Sequence, residues 1–155
     1  MVEYPTRAHE QSKVYPSLKP SAIRQVEVPP PERLVMDKQG IELSGAAKYG
    51  PYSAGVQSNG MFWLSGQIAV EFEHVKAQTQ GALDKIDSLL DAAKLTKDNI
   101  CFVQILLADI DDFAAMNEVY GAWIDSAEIK PARAAFAAAA LPAGALVEIV
   151  VQGTR

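Results

Sequence analysis

The chain is poor in the side chains that most often build disulfides and metal centres. A single cysteine, Cys101, stands among 155 residues. That excludes an internal disulfide framework and a cysteine-based zinc site. The two histidines, His9 and His74, lie far apart with no ligand-like spacing, which argues against a structural metal. Long apolar runs are also lacking. The longest uncharged, largely apolar stretch, Ala134 to Val147, is interrupted by Pro142 and Gly144. It falls short of the roughly 20 residues that a membrane span needs, so no integral membrane protein is expected. Positive charge is scarce: 14 basic against 19 acidic residues leave a net charge of −5. Non-specific binding to the phosphates of a nucleic acid is disfavoured by that balance.

What is present suits one soluble domain. The length allows a real core but not two full domains. Apolar residues at 49% and charged residues at 21% are the mixture of a globular protein. Proline is unevenly spread. Six of the nine prolines, Pro5, Pro16, Pro20, Pro29, Pro30 and Pro31, fall near the start. Proline removes backbone donors and disfavours helix interiors and central strands. Residues 1 to 32 are therefore expected to be an extended, proline-rich arm, and residues 33 to 155 the folded domain. The arm has no apolar signal core, and Glu3, Glu10 and Glu27 are foreign to a transit peptide. A cytoplasmic protein is expected, with organelle targeting by the arm left open.

Within the domain, Arg33 to Met36 predicts a short strand and Asp37 to Gly40 a turn. Asn59-Gly60 is the signature of a type I′ hairpin turn, joining strands of about 54–58 and 61–65. Val75, Thr79, Leu83, Ile86, Leu90 and Ala93 recur at helical spacing, which predicts a helix over 73–93 with one buried face. Ile100 to Leu107 is apolar apart from Gln104 and predicts a central strand. Asp109 to Asp112 offers helix caps. Phe113, Met116, Tyr120 and Ile124 mark the buried face of a second helix. Arg133 to Ala139 and Ala145 to Val151 are the last two strands. The order β-β-β-α-β-α-β-β, with segregated hairpins and two helices, predicts an α+β sheet covered on one face.

No Ser/His/Asp arrangement, P-loop or dinucleotide fingerprint is present. Cys101, at the start of an apolar strand, reads as an inert buried thiol. Two charges stand out. Arg133 precedes the uncharged run, and Glu148 sits inside Leu146-Val147-Glu148-Ile149-Val150-Val151. Charged side chains are seldom buried unless paired. The structural reading is a buried Arg133–Glu148 ion pair, or one charge emerging at a sheet edge. The functional reading is a guanidinium gripping a substrate carboxylate, with a carboxylate handling protons nearby.

Several stretches, in order, resemble one family. They are Gly50-Pro51-Tyr52-Ser53, Asn59-Gly60 followed by Ser65-Gly66-Gln67-Ile68, and Asp111 to Tyr120. Pro131-Ala132-Arg133 and Leu141 to Ile149 complete the series. Over about residues 33 to 152 the chain is similar to the reactive-intermediate deaminase family, RidA or YjgF, once labelled endoribonuclease L-PSP. The resemblance implies a chorismate-mutase-like fold, a mixed sheet with two helices on one face, assembled as a homotrimer with active sites between subunits. It implies hydrolysis of enamines and imines such as 2-aminoacrylate and 2-iminobutanoate to a 2-keto acid and ammonia, without a cofactor or metal.

By motif position, Arg133 matches the residue that grips the substrate carboxylate. Glu148 matches the acid that positions water and moves protons. Tyr52, Ser65, Gly66 and Asn117 fall on cleft-lining positions. Ala135 stands where many members have cysteine, so a main-chain carbonyl role would survive there and a thiol role would not. The loop after Gln67-Ile68 is shorter than usual, and the first 32 or so residues are extra. A second reading of the same fold is a non-catalytic trimer that binds a small carboxylate. The net charge, and the absence of a basic stretch interleaved with aromatics, argue against a ribonuclease.

Overall fold

A computed structural model describes residues 37–43, 45 and 50–155. The chain divides into two units, Met1–Leu34 and Val35–Arg155. The expected arm and the expected strand Arg33 to Met36 lie outside the described residues. The described elements are β1 (Gln39–Ile41), β2 (Gly55–Ser58), β3 (Met61–Gln67), α1 (Val75–Ala92), β4 (Ile100–Leu107), α2 (Phe113–Ile124), β5 (Ala132–Ala137) and β6 (Val147–Thr154). Six strands form one sheet in the order β1-β2-β3-β6-β4-β5. All neighbours are antiparallel except β4 and β5, which are parallel and joined through α2. The sheet is thus mixed, as the family resemblance implies.

Local chemistry explains most of these elements. Asn59 and Gly60 have φ values of 51° and 76°, the two left-handed residues that a type I′ turn demands. All six residues of the helical stripe in 73–93 are buried. They face the sheet together with Ala82 and Leu89. In β4, Val103, Ile105 and Leu107 are fully buried, and in β6 so are Val147, Ile149 and Val151. Each such aliphatic side chain contributes about 1.5–3 kcal/mol by leaving water. Their alternates, among them Gln104, Leu106, Glu148 and Val150, are half-buried on the other face. That face carries no helix among the described residues, and it exposes Trp63 and Phe136.

Four expectations need correction. The turn expected over 37–40 contains the start of β1, because pairing of Gln39 with Gln57 and Gly40 with Val56 overrides its local turn preference. Cys101 is exposed. A register irregularity between Ile100 and Phe102 takes it out of the in-and-out alternation. Phe113 is 38% exposed at the first turn of α2. Trp123 is buried instead, donating from Nε1 to the Asp87 carboxylate at 3.0 Å. Finally, β6 starts at Val147, since Pro142–Gly144 forms a 3-10 turn with Ala143 at φ 54°. No helix of the described residues is long and apolar enough to cross a membrane.

Candidate active site

A hollow of about 380 Å³ opens beside β3 and β6, lined by Gly50, Tyr52, Ser65, Gly66, Ile68, Pro142 and Glu148. Its floor is a defect in the sheet. Leu64 pairs with Val151 and Gln67 with Ile149, so β3 spends an extra residue at Ser65-Gly66. Such bulges bend a strand and re-aim its side chains. Here the bulge brings the Gly66 backbone under Glu148. A Cβ on Gly66 would lie 1.8 Å from Glu148 Oε1. Only glycine lets the carboxylate lie across this strand. Ser65 closes the adjoining wall, its Oγ donating to the Ser53 carbonyl at 2.8 Å and its N–H to the Ala54 carbonyl at 2.9 Å. Those two bonds hold the Gly50–Ser53 segment, and with it Tyr52, against β3. Burial pushes the Glu148 carboxyl above its ordinary value of 4.5.

Arg133 belongs to a second cluster. It lies on β5, the edge strand, and is exposed. Its Nη1 donates to Asn117 Oδ1 at 2.7 Å. The guanidinium lies 4.7 Å above the Tyr120 ring and 5.8 Å from that of Phe113. Asn117, Tyr120 and Phe113 share one side of α2 at helical spacing. They steady the cation by ring contacts and one hydrogen bond, which leaves other N–H groups for an incoming anion. The Tyr120 phenol is raised above 10.0 by burial, with the nearby Arg133 charge working against that shift.

Among the described residues no ion pair joins Arg133 and Glu148, and the sheet shows why. Arg133 pairs with Val103 and Glu148 with Leu106, both on β4. Paired residues share a face, so Arg133 lies on the helix side and Glu148 on the open side. Three residues along and two strands across, at about 3.3 Å and 4.8 Å each, separate them by roughly 14 Å. The buried-pair reading is therefore wrong. Its other branch, a charge emerging at a sheet edge, describes Arg133.

Of the residues singled out from sequence, Tyr52, Ser65, Gly66 and Glu148 meet in the hollow, and Asn117 meets Arg133. Ala135 joins neither cluster: it lies opposite Ile105 and its side chain packs on the core. Gly50, Ile68 and Pro142 in the hollow, and Phe113 and Tyr120 under the guanidinium, were not anticipated as site residues. All five lie inside the motif stretches quoted above. Periodicity marks Tyr120 only as a core residue. Among the described residues no cluster of three or more His, Cys, Asp or Glu could hold a metal ion.

One cluster sets a half-buried carboxylate over a glycine bulge, and the other sets an arginine over the Tyr120 ring. Comparison with known proteins shows which family the chain resembles. The family described as Endoribonuclease L-PSP matches residues 44–154. A RutC family protein of Aquifex aeolicus is 35% identical over 112 residues, spanning 68% of this chain and 90% of the relative. A mouse protein named 2-iminobutanoate/2-iminopropanoate deaminase is 36% identical over 117 residues, 69% of this chain and 85% of its own. The solved structure of YyfA from Yersinia pestis, of the Rid protein family, superposes with a TM-score of 0.72 at 34% identity. It covers 76% of this chain and 99% of that one. The chain belongs to this family, the RidA/YjgF proteins.

Proposed function

We propose that the protein hydrolyses small 2-imino acids and their enamine tautomers, of the 2-aminoacrylate and 2-iminobutanoate type, to 2-keto acids and ammonia. The observation that carries this reading is Glu148, a partly desolvated carboxylate pressed against a glycine bulge at the wall of a small hollow. A carboxyl whose pKa burial has raised holds a proton more readily than a free one, which helps it take and return one. In the reaction, Glu148 accepts a proton from water as the water oxygen bonds to the imine carbon. The C=N electron pair moves onto the nitrogen, which takes that proton back from Glu148 to give the carbinolamine. The carbinol hydroxyl then passes its own proton through Glu148 to the nitrogen, the carbon–nitrogen bond pair leaves with it as ammonia, and the carbonyl of the keto acid forms. The enamine form first gains a proton at its methylene carbon. Imines of this kind hydrolyse unaided in water, so orientation of water and substrate suffices.

Arg133 grips the substrate carboxylate through its remaining N–H groups. Because it and Glu148 lie on opposite faces roughly 14 Å apart, the reading requires two copies, Arg133 of one facing the hollow of the next. A homotrimer of about three times 16.7 kDa meets that need and covers the open face of the sheet.

Two measurements test this. Light scattering at micromolar concentration should give the trimer mass, and a monomer would remove the composite site. Ammonia release should accelerate when the protein is added to imine freshly generated by threonine dehydratase. Keto-acid binding without acceleration would instead favour the non-catalytic carboxylate binder.

A further inference from the structure

Among the described residues two polar side chains are buried in the core, Gln78 at 4% and Thr79 at 0% exposure. Thr79 bonds back to the Val75 carbonyl of its own helix. Gln78 leaves its helix altogether. Its Nε2 donates to the Phe72 carbonyl at 2.7 Å, and its Oε1 accepts from the Leu146 N–H at 2.8 Å. Phe72 and Leu146 belong to the two irregular segments that flank the Glu148 hollow. One runs from Ile68 toward α1. The other runs from Pro142 to β6.

Neither segment is held by a strand ladder, so their placement needs another source. The first is seated on α1 by two further devices. Lys85 Nζ donates to the Ile68 carbonyl at 2.7 Å and pairs with Glu71 at 2.9 Å. At Gly81, a Cβ would come within 2.7 Å of both Ala69 Cβ and Phe72 Cε2, so the segment lies directly on the helix. The second contains Ala143 at φ 54°, a conformation that alanine keeps only where its surroundings impose it. The Ala108 N–H donates to the Leu146 carbonyl at 2.9 Å, while Gln78 takes the Leu146 N–H.

We propose that Gln78 is a positioning residue that sets the width of the Glu148 hollow by tying both of its rims, through Phe72 and Leu146, to one helix. The hollow is then built to a fixed size rather than closed around its occupant, and that size selects small side chains on the substrate. The selectivity rests on the imine-hydrolysis reading; the bracket itself does not.

The experiment compares the full-length parent, Gln78→Leu and Lys85→Met. Amide hydrogen exchange is read first, since it needs no substrate. In Gln78→Leu, exchange should quicken at 69–72 and at 145–146 together, while the centre of β4 stays protected. Kinetics follow, on imines generated from threonine and from phenylalanine. KM for the small imine should rise roughly 5-fold to 20-fold with kcat changed less than about 2-fold, and the preference for small over bulky imine should shrink. A merely structural role would lower stability and leave that preference intact. Faster exchange at one rim alone, or an unchanged preference in a folded variant, would overturn the proposal. If Gln78→Leu does not fold, Lys85→Met decides on its half-buried lysine: a KM rise of about 3-fold supports rim-setting from α1, and an unchanged KM sinks it. A parent with no imine turnover would overturn the functional reading, and the exchange result would still decide the bracket.

Discussion

The two charged clusters are built in opposite ways. Glu148 is sunk beside a bulged strand, pressed on a glycine, with its carboxyl raised by burial. Arg133 stands in the open on an edge strand, steadied by Asn117 and the Tyr120 ring. The difference follows from the two groups' chemistry. A carboxyl that must exchange protons near neutral pH needs its pKa moved, and desolvation moves it. A guanidinium is charged in any surroundings, so it needs only orientation. One half is thus made by depth and the other by direction.

The sharpest way to break the comparison is to remove proton transfer while keeping shape. Glu148→Gln should lower turnover by about 100-fold or more while the keto-acid product still binds, as read by calorimetry. Loss of binding as well would mean that the carboxylate holds the ligand rather than water. Displacing the carboxylate should cost nearly as much. In Gly66→Ala the new methyl would claim the place of Oε1, and turnover should fall by about 100-fold in a protein that still folds. Normal activity there would show that Glu148 works from another position.

The Arg133 half should respond in binding instead. Arg133→Lys keeps the charge but loses the planar fork, so keto-acid affinity should weaken about 10-fold to 100-fold. Asn117→Ala, which only loosens the guanidinium, should weaken it about 3-fold to 10-fold. Equal losses in the two would mean that Asn117 contacts the ligand directly.

The smallest effect is on stability. A carboxyl raised in the folded state binds its proton more tightly there than in the unfolded chain. Its contribution is therefore favourable at low pH and lost as pH rises through the folded value. Glu148→Gln should accordingly melt slightly higher than the parent at pH 7, by about a few degrees at most given the group's partial exposure. The gap should close below the ordinary value of 4.5. A lower melting temperature at pH 7 would mean that the charged carboxylate has a stabilising partner.

What the sequence determined by itself is whatever depends on near neighbours. The Asn59-Gly60 turn, the buried stripe of α1 and the bounds of β4 rest on φ preferences and on periods of 3.6 and 2, all set within a few residues. The motifs also marked Tyr52, Ser65, Gly66, Asn117, Arg133 and Glu148 as lining one cleft, without dividing them. Tertiary structure alone decided that these residues fall into two groups, Glu148 with Tyr52, Ser65 and Gly66, and Arg133 with Asn117. β6 enters the sheet between β3 and β4, and its register puts Glu148 on the open face while β5 carries Arg133 on the helix side. Two charges that look ready to pair along the chain are thereby parted, because strand order and register are set by core packing between distant segments. The same holds for β1, which exists only because β2 pairs with it. It holds for Tyr120, which periodicity marks as core and whose ring also carries Arg133. And it holds for Gln78, a polar residue on a buried helix face whose partners lie 6 and 68 residues away. No local signal reaches that far, because the hydrogen bonds that justify its burial exist only once the chain has folded.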